Sequence, residues 1–118
     1  MQSFGNIAKE NNRKYTKRPR YTVVLHEVRE KLDLSFNSYA VIDSIHKLSH
    51  SDPNYYYCTM SKDKIAEFLS LSRRTIFHAI EEGLEKNLLE KNDRGDLRTT
   101  QKWVDMVELY NFKERKNP

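Results

Sequence analysis

The stretch that most constrains this chain runs from Ser61 to Glu85, where two apolar-periodic segments are separated only by Ser70, Leu71 and Ser72. In the first, Ile65, Phe68 and Leu69 recur at helical spacing beside the small Ala66, and Ser61 stands where a cap belongs. In the second, Ile76, Phe77, Ile80 and Leu84 gather around one face, with Ser72 as the cap. The pattern predicts helices over 62–69 and about 73–87 joined by a very short turn. Capping is the default role of both serines, and removing either should cost roughly 1 kcal/mol.

The flanks extend the pattern. Leu88 to Asn92 and Leu97 to about Val104 enclose Asp93, Arg94, Gly95 and Asp96, which predicts a β-hairpin over about 88–104. From Trp103 on, Met106, Val107 and Tyr110 recur at helical spacing, predicting a short closing helix to about Lys113, with Trp103 and Phe112 closing the core. Upstream, Ser35 precedes a helix over 36–49 with Val41, Ile42, Ile45 and Leu48 on one face and Asp43, His46, Lys47 and His50 on the other. The turn formers from His50 to Asn54 end it, and Tyr55 to Met60 reads as one short strand. Tyr21, Val24, Leu25, Val28 and Leu32 favour a further helix, although 21–25 fits the start of a strand equally well.

With 118 residues, three glycines and three prolines, the chain is one domain, mainly α with a small β-hairpin, and neither a turn-rich sandwich nor wholesale disorder. Its one cysteine, Cys58, cannot close an internal disulfide, and no signal peptide or long apolar span is evident, so a cytosolic or nuclear chain away from membranes is expected, with cytoplasmic the preferred location. Charge divides it further. Residues 1–20 carry Lys9, Arg13, Lys14, Lys17, Arg18 and Arg20 against Glu10, a local +5, whereas 21–118 hold 15 basic and 16 acidic side chains, a net −1. The expected organisation is a basic arm over 1–20 and a folded domain over 21–118. An arm of this kind is attracted to polyanions through counterion release; a plain solubilising terminus explains it equally well.

The segment KIAEFLSLSRRTIFHAIEEGLEKNLLEK (Lys64 to Lys91), the turn NDRGD (Asn92 to Asp96) and the following LRTTQKWV resemble the core of bacterial and phage winged helix-turn-helix DNA-binding proteins, above all replication-initiator and replisome-organiser domains. The resemblance covers about residues 35–105. It implies a recognition helix over about 73–87, a wing over about 88–104, and double-stranded DNA as the partner. One departure concerns the turn, where such proteins favour glycine and this chain has Ser70; a left-handed backbone there would cost roughly 1 kcal/mol.

The residues support the same reading on chemical grounds. With Ile80 set at the centre of the core side, Arg74, Thr75, His78, Glu82 and Glu85 point outward. Arg74, Thr75 and His78 are what a helix entering the major groove by its amino end presents to base edges, while Arg73 and Ser72 reach phosphate. The macrodipole favours anions at a helix start, yet Arg73 and Arg74 stand there and Glu81, Glu82 and Glu85 follow, an order that an external phosphate would satisfy. Glu82 and Glu85 hold the far half off the backbone. Ser61 is a second phosphate donor. In the hairpin, Lys91, Arg94, Arg98 and Lys102 are candidates for the adjacent groove, Arg94 first, diluted by Glu90, Asp93 and Asp96. Arg18 and Arg20 of the arm add nonspecific affinity.

Other chemistry is poorly served. Asp43, His46 and His50 with Cys58 lack dense metal-ligand spacing, and their helix face is expected to be solvent-facing. Cys58 sits in a segment expected to be core, and Tyr55, Tyr56 and Tyr57 have no Arg/His cluster for transfer chemistry. Neither a phosphate-binding glycine loop nor a pair of catalytic carboxylates is present, so no enzyme, cofactor or metal is expected. The process reads as replication initiation or transcriptional regulation on a phage or mobile element. A replication or transcription protein and a second copy of the chain are open as partners. The competing class is a winged helix used as a protein-docking adaptor without base readout.

Overall fold

The structure is a computed structural model that describes residues 21–116, with side chains described through Asn111. The chain runs α1 (His26–Lys31), α2 (Phe36–Ser49), α3 (Lys62–Leu69), α4 (Arg73–Glu85), β1 (Leu89–Lys91), β2 (Leu97–Thr99) and α5 (Gln101–Lys116). It is mainly helical, with one two-stranded antiparallel sheet among the described residues. No helix among them is long and apolar enough to cross a membrane. The arm over 1–20, with Arg18 and Arg20, lies outside the described residues, as does the side chain of Phe112.

Helix α2 is the centre of the packing. It lies against α4 and β2, while α3 packs on α4, and α5 spans from β2 to α1. Tyr39, Val41, Ile42 and Ile45 of α2 are buried with Ile65, Ile76, Ile80, Leu88, Leu89, Leu97 and Trp103. Each aliphatic side chain so removed from water contributes about 1.5–3 kcal/mol. Trp103 is core, as expected, and its ring meets that of Tyr39 at a centroid distance of 5.0 Å, which fastens α5 to α2.

The apolar pattern located these helices but misjudged the rotation of α4. Its buried set is Ile76, Ala79, Ile80 and Gly83, so the core direction is turned by about 50° from Ile80 toward the small residues at about 100° per residue. Gly83 explains the offset. A Cβ there would fall 2.6 Å from Leu89 Cδ1 and 2.9 Å from Leu89 Cγ, so the missing side chain is what lets Leu89 of β1 seat this closely on α4. The rotation overturns two expectations at once: Phe77 is brought out to 38% exposure, and Glu82 is brought in against α2, where it accepts a hydrogen bond from Ser38 Oγ at 2.7 Å.

Several boundaries also differ. Residues 55–60 form no strand: Tyr56 has φ 59, which breaks an extended run, and only Cys58 pairs, bridging Leu97 through N–H···O contacts of 2.7 and 3.4 Å. The hairpin ends at Thr99 rather than near 104, because α5 already begins at Gln101 and carries Lys102 and Trp103 in its opening turn. The opening helix is confined to 26–31; Val24 and Leu25 pack on the core from an irregular segment, and Leu25 N–H donates to the Tyr39 hydroxyl at 3.4 Å. His46 is not on a solvent face: its Nδ1 is 2.7 Å from Thr99 Oγ1 of β2.

Candidate nucleic-acid interface

The turn between α3 and α4 sets the orientation of every candidate on α4. Ser70 is left-handed, with φ 57 and ψ 43, the conformation in which a serine carries a strain penalty. Leu71 N–H closes back on Ala66 O at 3.0 Å, and Ser72 then caps α4, its Oγ accepting from Thr75 N–H at 3.1 Å. Ser61 does the same for α3, accepting from Lys64 N–H at 3.2 Å. Both serines are therefore caps in the folded chain, each with a hydroxyl on an exposed helix start.

Directly opposite the core, α4 presents Arg74, His78, Glu81 and Glu85 as an exposed ridge, basic at its start and acidic beyond. Arg74 and His78 stand one turn apart on it, and among the described residues Arg74 makes no ion pair. Arg73 leaves the ridge on the α3 side: its Nε lies 3.1 Å from Asp63 Oδ1, and its guanidinium sits 5.0 Å from the Phe77 ring centroid. Lys62 approaches the same ring at 5.6 Å, so Phe77 is an exposed aromatic clasped by two cations. Thr75 leaves the ridge on the α2 side, half-buried, with its hydroxyl 2.8 Å from Ser72 Oγ.

On that side a cleft of about 330 Å³ opens between α4 and the start of α2, lined by Arg74, Thr75 and His78 on one wall and Ser35, Asn37 and Ser38 on the other. Behind it runs a polar network. Glu82 accepts from Ser38 Oγ and, at 2.8 Å, from Lys86 Nζ; Lys86 also donates to Leu32 O at 3.0 Å and Asp33 O at 2.7 Å. Burial alone would raise the Glu82 carboxyl, but the hydrogen bonds from Lys86 and Ser38 and the nearby positive charge hold it below the ordinary carboxylate range. The network ties α4, the start of α2 and the turn before it into one unit.

The hairpin candidates divide. Glu90 and Arg98 face each other across the strands, and their side chains pair at 2.6 Å; this hydrogen bond raises the guanidinium pKa further. Arg98 also lies 4.5 Å from the Tyr57 ring centroid. Lys91 is exposed on β1. Arg94 sits at the tip, where the chain turns through Gly95 at φ 90, and its guanidinium is 6.0 Å from the Tyr55 ring. Tyr55 holds the tip, donating to Asp96 Oδ2 at 2.6 Å and accepting from Asn92 Nδ2 at 2.9 Å. Lys102 is committed to the fold: its Nζ donates to Lys86 O at 3.0 Å.

The structure thus brings Arg74, Thr75 and His78 together, sends Arg73 toward Asp63 and the Phe77 ring, and puts Arg94 on a separate, anchored tip. Sequence reasoning missed Asn37 and Ser35, which join the site only because α2 packs across α4, and the tyrosine platform under Arg94 and Arg98. The pairing of Lys62 with Phe77 was hidden by the rotation of α4. Comparison of the chain with protein families, with curated proteins and with solved structures finds no match.

Proposed function

We propose that this chain is a winged helix-turn-helix protein that binds double-stranded DNA, with α3 and α4 as the helix-turn-helix, β1 and β2 as the wing, and the start of α4 entering the major groove. The observation that carries the reading is the exposed pair Arg74 and His78 at the amino end of α4, where unpaired helix amides and an arginine without an ion pair among the described residues favour an external anion. Arg74 is placed to read guanine and His78 to donate or accept at a neighbouring base edge. Arg73 is paired with Asp63 in the free protein, but both side chains are largely exposed. Such a pair contributes at most about 1 kcal/mol, so a phosphate competes with it effectively. Ser61, Ser72 and Lys91 serve phosphate, Arg94 reaches the flanking groove from the wing, and the basic arm with Arg18 and Arg20 adds nonspecific attraction.

No catalytic step is assigned to the chain, and the process we favour is replication initiation or transcriptional regulation in the cytoplasm, on a phage or mobile element. The second reading, a protein-docking adaptor, draws on one observation, the exposed Phe77 on α4. Salt separates the two, since binding to phosphate weakens steeply with ionic strength and an apolar contact does not. The deciding experiment is the double variant Arg73→Ala with Arg74→Ala on a mixed-sequence duplex at moderate salt. We expect a weaker complex and a shallower dependence of log affinity on log salt, by about 0.9 for each phosphate that is no longer neutralised. Unchanged affinity refutes the site.

A further inference from the structure

The cleft beside the α4 ridge has a second wall that the DNA reading leaves without a role. Ser35 and Asn37 are exposed at the start of α2, and they face Arg74, Thr75 and His78 across about 330 Å³. The chemistry of the lining is one-sided. Ser38 spends its hydroxyl proton on Glu82, and Glu82 is occupied by Ser38 and Lys86. The Thr75 and Ser72 hydroxyls lie 2.8 Å apart, so one of their two protons is spent between them. Ser35 Oγ accepts from Ser38 N–H, which leaves its own O–H free to donate. What remains toward the opening is the Ser35 hydroxyl, the Asn37 amide, the Arg74 guanidinium and the His78 ring, a set dominated by donors.

We infer that this cleft receives a backbone phosphate of the duplex, held by the Ser35 hydroxyl and the Asn37 amide of α2 on the wall facing Arg74, so that α2 is part of the DNA-contacting surface. The inference rests on the proposed function and adds to it a contact on a helix outside the helix-turn-helix. A phosphate suits the cleft because its oxygens accept from every group left free here, whatever the base sequence alongside. The rigidity of the walls supports the same assignment: the Ser38–Glu82 hydrogen bond and the Lys86 clamp fix the spacing of Asn37 from Arg74 before any ligand arrives. Asn37 is thus a phosphate contact that carries no sequence information of its own.

The test is equilibrium binding of the full chain to two fluorescein-labelled duplexes of unrelated sequence, with Asn37→Ala and Asn37→Asp. Asn37→Ala should weaken both complexes by the same factor, about tenfold, the worth of one hydrogen bond to a charged group. Asn37→Asp separates binding from folding. The first turn of α2 holds no acidic residue, so a carboxylate there favours the helix while repelling phosphate. That variant should melt no lower than the parent and bind still more weakly than Asn37→Ala. Unchanged affinity for both variants overturns the inference while leaving the proposed function standing, and a loss confined to one duplex overturns it in favour of base contact. If the parent chain itself binds neither duplex, both the inference and the proposed function fall.

Discussion

Ser38 Oγ donates to Glu82 Oε1 at 2.7 Å, joining the first turn of α2 to the third turn of α4. Lys86 reaches the other carboxylate oxygen, so each oxygen of Glu82 has its own donor and a carboxamide could serve only one of them. Glu82→Gln should destabilise the domain by about 1–2 kcal/mol at neutral pH, measured by denaturant unfolding. The folded carboxyl lies below its ordinary range. Its contribution is therefore complete above the unfolded pKa and is lost as pH falls through the folded one, and the parent and variant curves should converge in acid.

His46 titrates with the opposite preference for charge. Burial, then the neighbouring His50 ring at 4.2 Å and Lys47, outweigh the attraction of Asp43 and lower its pKa, so the folded chain favours a neutral imidazole beside Thr99. The unfolded chain then binds the proton more readily. Stability should be full above the ordinary histidine pKa of about 6.5 and fall as pH drops through the lower folded value. His46→Gln should flatten that part of the pH profile, and an NMR titration of the ring should give a midpoint below that of an unperturbed histidine.

Gly83 sits in a helix interior, where alanine would ordinarily be better by about 1 kcal/mol. Here the added Cβ would come within 2.6 Å of Leu89 Cδ1 and 2.9 Å of Leu89 Cγ. Gly83→Ala should therefore be net destabilising by about 1 kcal/mol, since overpacking a tight contact costs about 1–3 kcal/mol. Introducing the same change in a Leu89→Ala background should reverse its sign, which a double-mutant cycle of unfolding free energies would register.

Ser70 is the reverse case, a side chain where the backbone calls for none. With φ 57 it stands in the left-handed region. Ser70→Gly should stabilise by about 0.5–1 kcal/mol, the relief of strain exceeding the extra freedom of the unfolded chain. An unchanged or lower unfolding midpoint would contradict this account of the turn.

The two capped helices and the turn between them were legible because their signals are local: Ser61 and Ser72 precede apolar repeats, and both cap as expected. The hairpin was legible from Gly95 and its flanks, though not its end, since Thr99, Thr100 and Gln101 carry no mark that a strand yields there to a helix. The rotation of α4 was not legible. Apolar bulk weights Ile80 and Phe77, whereas the close approach is made by Ala79 and Gly83, which add almost nothing to a hydrophobic pattern. At the candidate site, Arg74 and His78 were found from the helix alone. Asn37 lies far from them in sequence and reaches the cleft only through the packing of α2 on α4, so nothing near residue 37 announces it.

The bond of Tyr55 to both Asn92 and Asp96, together with the bridge from Cys58 to Leu97, makes a fin out of what would otherwise be a pair of three-residue strands with a loose end. The connector after α2 and the hairpin must then travel as one piece. Lengthening the chain near Asn54 would displace Arg94 from a distance of forty residues, so drift in that connector is constrained by whatever the fin touches.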